Sequence, residues 1–134
     1  MSLTMRSSDD LSGVATSVAS FVAANDIGKS TAYALDLILE ELVTNIAKHG
    51  SGTEGATISI ALELADGIVH GTVKDNAAPF DPLKNPPPDT TARLDDRKIG
   101  GLGVHFVRTL VENVSYRCQA GENVLSFELR MKEE

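Results

Sequence analysis

Glu41 and Asn45 stand four residues apart in the stretch Leu39-Glu40-Glu41-Leu42-Val43-Thr44-Asn45-Ile46-Ala47-Lys48-His49-Gly50. On a helix that spacing projects both side chains from nearly the same side, so they share one neighbourhood. The oxygen of an asparagine amide is a hard, neutral ligand of the kind Mg²⁺ accepts, a cation that draws its remaining ligands from water and substrate phosphates. A carboxylate one turn away is placed to orient or deprotonate a nucleophile. Two further signals lie downstream. Asp75 ends an apolar-alternating segment in Asp75-Asn76-Ala77-Ala78-Pro79-Phe80-Asp81-Pro82, where its carboxylate can accept a hydrogen bond from an exocyclic amine such as that of adenine. Gly100-Gly101-Leu102-Gly103 precedes a helical pattern, and unhindered backbone amides at a helix N-terminus form a cradle for phosphate. Each signal has a plainer explanation by itself: a solvated helix flank, an Asp-Asn turn, a hinge with a cap. Their combination points to a cavity for a purine triphosphate.

The elements that must position these residues follow from the pattern. Leu11, Val14, Val18, Phe21 and Val22 recur at helical spacing after Asp9 and Asp10, predicting a first helix to about Ala24, broken by Asn25 and Gly28. Ser30 is suited to cap a second helix with Leu35, Ile38, Leu39, Leu42 and Ile46 on one stripe, ending at Gly50. Ile58, Ile60, Leu62 and Leu64 alternate with polar or small residues, and Asp66-Gly67 supplies a tight hairpin turn before a second strand at 68–74. Residues 81–98 are rich in proline and charge, including Pro86-Pro87-Pro88, and read as a loop or lid over about 81–99. A helical pattern returns through Val104, Val107, Leu110 and Val111, and strands at 115–119 and 124–131 flank Gly121-Glu122-Asn123. This order predicts an α+β fold: a two-layer α/β sandwich with a mixed, mostly antiparallel sheet of at least four strands and helices on one face. Residues 9–134 are expected to form one domain behind a disordered leader at 1–8.

Composition narrows the partners. Twelve basic against nineteen acidic residues give a net charge of −7 over 134 residues, a field that repels nucleic-acid backbones and anionic lipid heads. The single cysteine, Cys118, cannot form an internal disulfide, and no apolar run is long enough to span a bilayer. A cytoplasmic setting without nucleic acid or membrane as partner is therefore expected. Two tempting motifs fail. Phe106 occupies the place of the third glycine of a dinucleotide fingerprint, and Gly28-Lys29-Ser30 follows a helix, with Ala23 where a Walker loop needs its first glycine. His49, His70 and His105 show no metal-ligand spacing, and a short-strand cysteine is more often an inert thiol than a nucleophile.

Taken in order, these stretches resemble the stand-alone ATPase domains of bacterial anti-sigma-factor serine/threonine kinases, relatives of the gyrase, heat-shock chaperone, histidine kinase and mismatch-repair ATPases. Glu41-Leu42-Val43-Thr44-Asn45 with His49-Gly50 looks like the family's N box, Asp75 through Pro82 like its adenine box, and the run from Ile99 to Arg108 like its second glycine box. The closing Gly121-Glu122-Asn123-Val124-Leu125-Ser126 is also similar. The resemblance covers nearly the whole chain.

The resemblance implies a catalytic role for Glu41 as general base and a Mg²⁺ ligand in Asn45, with Lys48 one turn further approaching phosphate. It implies that Asp75 binds the adenine amine, with Ser126 in the place of the family's adenine-side hydroxyl, and that backbone at Gly101, Leu102, Gly103 and Val104 contacts phosphates. Arg93, Arg97 and Lys98 are candidate lid cations. Ala77 departs from the pattern: the adenine box has glycine there, and a methyl narrows the pocket if the backbone needs a positive φ. The implied activity is an ATP- and magnesium-dependent protein serine/threonine kinase that phosphorylates a small antagonist protein of the anti-anti-sigma type and binds a sigma factor or similar regulator. The competing reading is an ATP-binding regulatory interaction module without kinase activity, in which ATP orders the lid to shape a partner surface. The family commonly forms homodimers, and the first helix or residues 57–64 are candidate interfaces.

Overall fold

The computed structural model describes residues 1–7, 9–49, 56–77 and 110–131. Among these residues five strands and two helices follow in the order β1 (Ser2–Arg6), α1 (Ser12–Ala24), α2 (Lys29–His49), β2 (Thr57–Ala65), β3 (Ile68–Asp75), β4 (Glu112–Gln119) and β5 (Glu122–Arg130). The strands form one sheet in the order β1-β2-β3-β5-β4, with every pairing antiparallel. The predicted mostly antiparallel character thus extends to all the described strands. β3 and β5 lie at the interior of the sheet, and the final hairpin places β5, not β4, against β3.

Both hairpins turn on two residues with positive φ. Asp66 and Gly67 have φ of 53° and 76°, and Ala120 and Gly121 have 53° and 80°, the signature of primed turns whose twist matches that of the strands they join. The second turn is therefore tighter than the Gly121-Glu122-Asn123 connection the sequence suggested. Gln119 pairs with Glu122 and Cys118 with Asn123, which draws both Glu122 and Asn123 into β5. β4 itself begins three residues earlier than predicted, with a register irregularity between Glu112 and Ser115 where Asn113 takes a φ of 51°.

The leader expectation is corrected by β1. Residues 2–6, predicted to be disordered, pair with β2 in the register Ser2↔Ala61 through Arg6↔Thr57, and Met5 is buried in the core. Only Leu3 and Met5 carry the alternation, too short a run to stand out, whereas the open edge of β2 supplies the hydrogen-bond partners that make the strand.

The core lies between the helices and one face of the sheet. Period-two alternation brings Met5 from β1, Ile58, Ile60 and Leu62 from β2, Val69 and Val73 from β3, and Leu125, Phe127 and Leu129 from β5 into a single cluster with Val14, Val18 and Phe21 of α1 and Leu35, Ile38, Leu39, Leu42 and Val43 of α2. Leu35, Ile38 and Leu39 are wholly inaccessible, and burial of each contributes about 1.5–3 kcal/mol. α1 ends where the backbone N–H of Ile27 bonds the carbonyl of Val22 at 3.0 Å and Asp26 takes the left-handed position with φ 53°. The Asn25 amide adds a 2.9 Å bond to the carbonyl of Phe21, so the asparagine identified as a breaker also closes the helix. α2 starts one residue before the predicted Ser30 cap; Gly50 lies outside the described residues.

Gly71 marks the tightest point of this packing. It pairs directly with Phe127, and a Cβ built on it would fall 2.2 Å from the ring. The ring fills the notch that the missing side chain leaves. We predict that Gly71→Ala destabilises the protein by about 1–3 kcal/mol in urea unfolding, through overpacking of a ring with no room to retreat. Gly13→Ala, in α1 with nothing within 4 Å of the added carbon, is expected to be neutral or to stabilise by up to about 1 kcal/mol.

Candidate functional site

Asp75 ends β3 between two neighbours, opposite Ile58 of β2 and Asn123 of β5. Its side chain falls on the helix-covered face with Val69, Gly71 and Val73, and the residue is only 6% exposed. A carboxyl group held there needs donors, since an unsatisfied one is expensive to bury. Two supply them: Oδ1 accepts from the backbone N–H of Ala77 at 3.0 Å and from Nδ2 of Asn123 at 2.9 Å. The Asn123 Nδ2 also donates to the carbonyl of Ala77 at 3.2 Å, and the hydroxyl of Tyr116 donates to Asn123 Oδ1. A strand end, a turn and the last hairpin are thereby tied into one polar cluster.

The Asp-Asn pair makes the turn that its residue types favour and a buried site at once. Asp75 bonds its own backbone two residues on, as Asx turns do, while Asn76 pins the adjacent strand by accepting from the N–H of Thr57 at 2.8 Å and donating its own N–H to the Thr57 carbonyl at 3.3 Å. Ala77 is buried and lies outside the left-handed region, which among the described non-glycine residues is occupied by Asp26, Asp66, Asn113 and Ala120. Its Cβ therefore carries no positive-φ strain, and alanine is compatible with this backbone.

On α2, Glu41 and Asn45 occupy consecutive turns beside Leu42 and Val43, which anchor that segment in the core. Glu41 is half-buried; burial raises its carboxyl above the ordinary value of 4.5, the charge on Glu40 adds to the rise, and Lys48 opposes it. Asn45 is 3% exposed, and its Nδ2 is a buried polar atom with no hydrogen-bond partner. Rotation of the amide by 180° exchanges nitrogen and oxygen, so the unpartnered position is equally one from which an oxygen can meet a cation. Lys48 is exposed, a turn beyond Asn45. Among the described residues no group of three or more His, Cys, Asp or Glu side chains is arranged to hold a metal.

Ser126 is placed elsewhere. It pairs with Thr72 of β3 and Ser115 of β4, and alternation along β5 turns it to the sheet face opposite Asp75. The structure does not bring it to the Asp75 cluster. Three positions earlier, Asn123 occupies that place, and with Tyr116 it is the functional candidate that sequence reasoning missed. The available signal was the hairpin register: an Ala-Gly turn puts Asn123 on the Asp75 face and Ser126 on the other. Gly101, Leu102, Gly103, Val104, His105, the 81–99 lid and its cations Arg93, Arg97 and Lys98 lie outside the described residues. His70 contacts Glu128 at 3.9 Å on the outer face, and Cys118 is an exposed free thiol.

Residues 6–129 match the family of histidine kinase-like ATPase domains. The chain is 31% identical over 96 residues to the serine/threonine-protein kinase BtrW of Bordetella bronchiseptica, a match that covers 70% of this chain and 67% of that protein. Its fold is similar to the crystal structure of the RsbU and RsbW domains of Rv1364c from Mycobacterium tuberculosis, with a TM-score of 0.68 at 17% identity over the whole of this chain and 33% of that one. It is also similar to the Acinetobacter baumannii histidine kinase AdeS, with a TM-score of 0.50 at 13% identity over 76% of this chain and 48% of the other. No helix among the described residues is long and apolar enough to cross a membrane. On the span of the family match, and on a five-stranded sheet backed by two helices with an aspartate at the end of its central strand, the chain belongs to the histidine kinase-like ATPase family.

Proposed function

We propose that the protein is an ATP- and magnesium-dependent serine/threonine kinase of the anti-sigma-factor type, acting on a small antagonist protein and binding a sigma factor or a similar regulator. The observation that carries the reading is Asn45: a buried amide with an unpartnered nitrogen, one turn after a half-buried glutamate. A purely structural asparagine at 3% exposure would be expected to have its hydrogen bonds made. The similarity to a protein named as a serine/threonine kinase supports the choice of acceptor.

In this reading Asp75 accepts a hydrogen bond from the adenine amine and fixes the base at one end. Asn45 would hold magnesium, which when bound would supply charge neutralisation on the triphosphate. Glu41 takes the proton of a serine or threonine hydroxyl as that oxygen bonds the γ-phosphorus; the bond from phosphorus to the β–γ bridging oxygen breaks, and ADP leaves. A carboxyl held above its ordinary range by burial is a stronger base than a solvated glutamate, so the shift and the role agree. Lys48 and backbone at Gly101, Leu102, Gly103 and Val104 share the phosphate charge.

Glu41 separates chemistry from binding. Glu41→Gln is expected to keep ATP affinity and to lower transfer of labelled phosphate to a partner protein by about 10²–10⁴-fold. ATP binding without any Glu41-dependent transfer to proteins of the native extract would replace the kinase by a nucleotide-responsive interaction module.

The same change should stabilise the fold at neutral pH. A carboxyl whose folded pKa is raised contributes stability below its unfolded value of about 4.5 that is lost as pH rises through the folded value. In urea unfolding the Gln variant is therefore expected to exceed the wild type at pH 7 and to converge with it below pH of about 4.5.

Asn45→Ala is expected to weaken calorimetric ATP affinity about tenfold or more in magnesium buffer and much less in EDTA. Equal losses in both buffers would remove Asn45 as the magnesium ligand.

A further inference from the structure

The described partners of Asn123 select one orientation of its amide. Its nitrogen faces two acceptors, Asp75 Oδ1 at 2.9 Å and the Ala77 carbonyl at 3.2 Å, while its oxygen receives the Tyr116 hydroxyl. Reversal would set the amide oxygen against a carboxylate and a carbonyl, three acceptors together, and would leave the residue's two N–H groups without those partners. Asn123 is 5% exposed, so bulk water is poorly placed to repair the mismatch. Tyr116 reaches it diagonally across the β4–β5 hairpin, from the position paired with Leu125.

The consequence falls on Asp75. Both of its bonds from protein donors, one from the Ala77 N–H and one from Asn123, end on Oδ1, and among the described residues none ends on Oδ2. One carboxylate oxygen is committed to the protein and the other remains an acceptor. An acceptor of fixed direction favours a purine with an amine at C6 and repels one with a C6 carbonyl, and sites built on such hydrogen bonds discriminate far more sharply than apolar pockets.

Resting on the proposed role of Asp75, we infer that Asn123 and Tyr116 are specificity-determining positioning residues: Tyr116 sets the Asn123 amide, the amide holds Asp75 Oδ1, and the relay makes the site selective for 6-amino over 6-oxo purine nucleotides. Neither residue touches the reacting phosphate. Their effect is on base selectivity and not on the transfer step.

The test measures dissociation constants for ATP and inosine triphosphate, both with magnesium, on the wild-type chain and on Tyr116→Phe, Asn123→Ala and Tyr33→Phe. Tyr33 is 72% exposed on α2, outside the cluster, and controls for loss of a tyrosine hydroxyl. Tyr116→Phe is expected to weaken ATP about tenfold and to change inosine triphosphate by less than about twofold, collapsing the preference, with Asn123→Ala at least as strong. Tyr33→Phe should keep the wild-type ratio. A ratio unchanged in Tyr116→Phe, including equal weakening of both nucleotides, overturns the relay while leaving the kinase reading intact. Wild-type protein that binds neither nucleotide overturns both. Should Asn123→Ala fail to fold by circular dichroism, Tyr116→Phe decides, since it removes one oxygen atom and keeps the ring.

Discussion

A carboxyl group buried at the end of an interior strand is the constraint around which this molecule is arranged. Asp75 has β2 on one side and β5 on the other, so its side chain has little access to water and must be satisfied by the protein. That requirement accounts for the turn geometry at Ala77, for an asparagine at the start of β5, and for a tyrosine on β4 reaching inward. Partly satisfied polar clusters are costlier than apolar packing, and among the described residues this one satisfies Oδ1 of Asp75 twice and Oδ2 not at all.

The helix that carries Glu41 and Asn45 shows a related tension. Glu40 follows Asp36 by one turn of α2 and adjoins Glu41, and the carboxyls of Asp36 and Glu41 are raised first by burial and then by the charge on Glu40. Asn45 adds a buried polar atom without a partner. A helix selected for stability alone would place apolar or paired residues at these positions. The local cost is carried by the stripe from Leu35 to Val43, whose burial anchors the helix irrespective of what its flank does.

Much of the architecture was legible because its signals are short-range. The Asp66-Gly67 turn, the alternation from Ile58 to Leu64 and the stripe on α2 each follow from residues close in sequence, and each element formed where its pattern lies. β1 was hidden because it has too few residues to display a period and owes its existence to the free edge of β2. Glu41, Asn45 and Asp75 could be identified as chemically able, yet Asn123 could not, since its role depends on facing Asp75 across the sheet. Ser126 was misplaced for the same reason: a serine in a strand has the right chemistry on either face, and only the register decides which one it has.

The bond between Asp75 and Asn123 joins residues 48 positions apart, and it closes only when β5 has docked against β3. Contacts of such long separation are paid for in loop entropy before they return any enthalpy, so hairpins and helices form ahead of them. The polar cluster around Asp75 is consequently a late product of folding. A nascent or partly unfolded chain that retains α2 and the β2–β3 hairpin would still lack the Asp75–Asn123 bond, so any ligand that binds only where that bond is closed would hold the final hairpin in place.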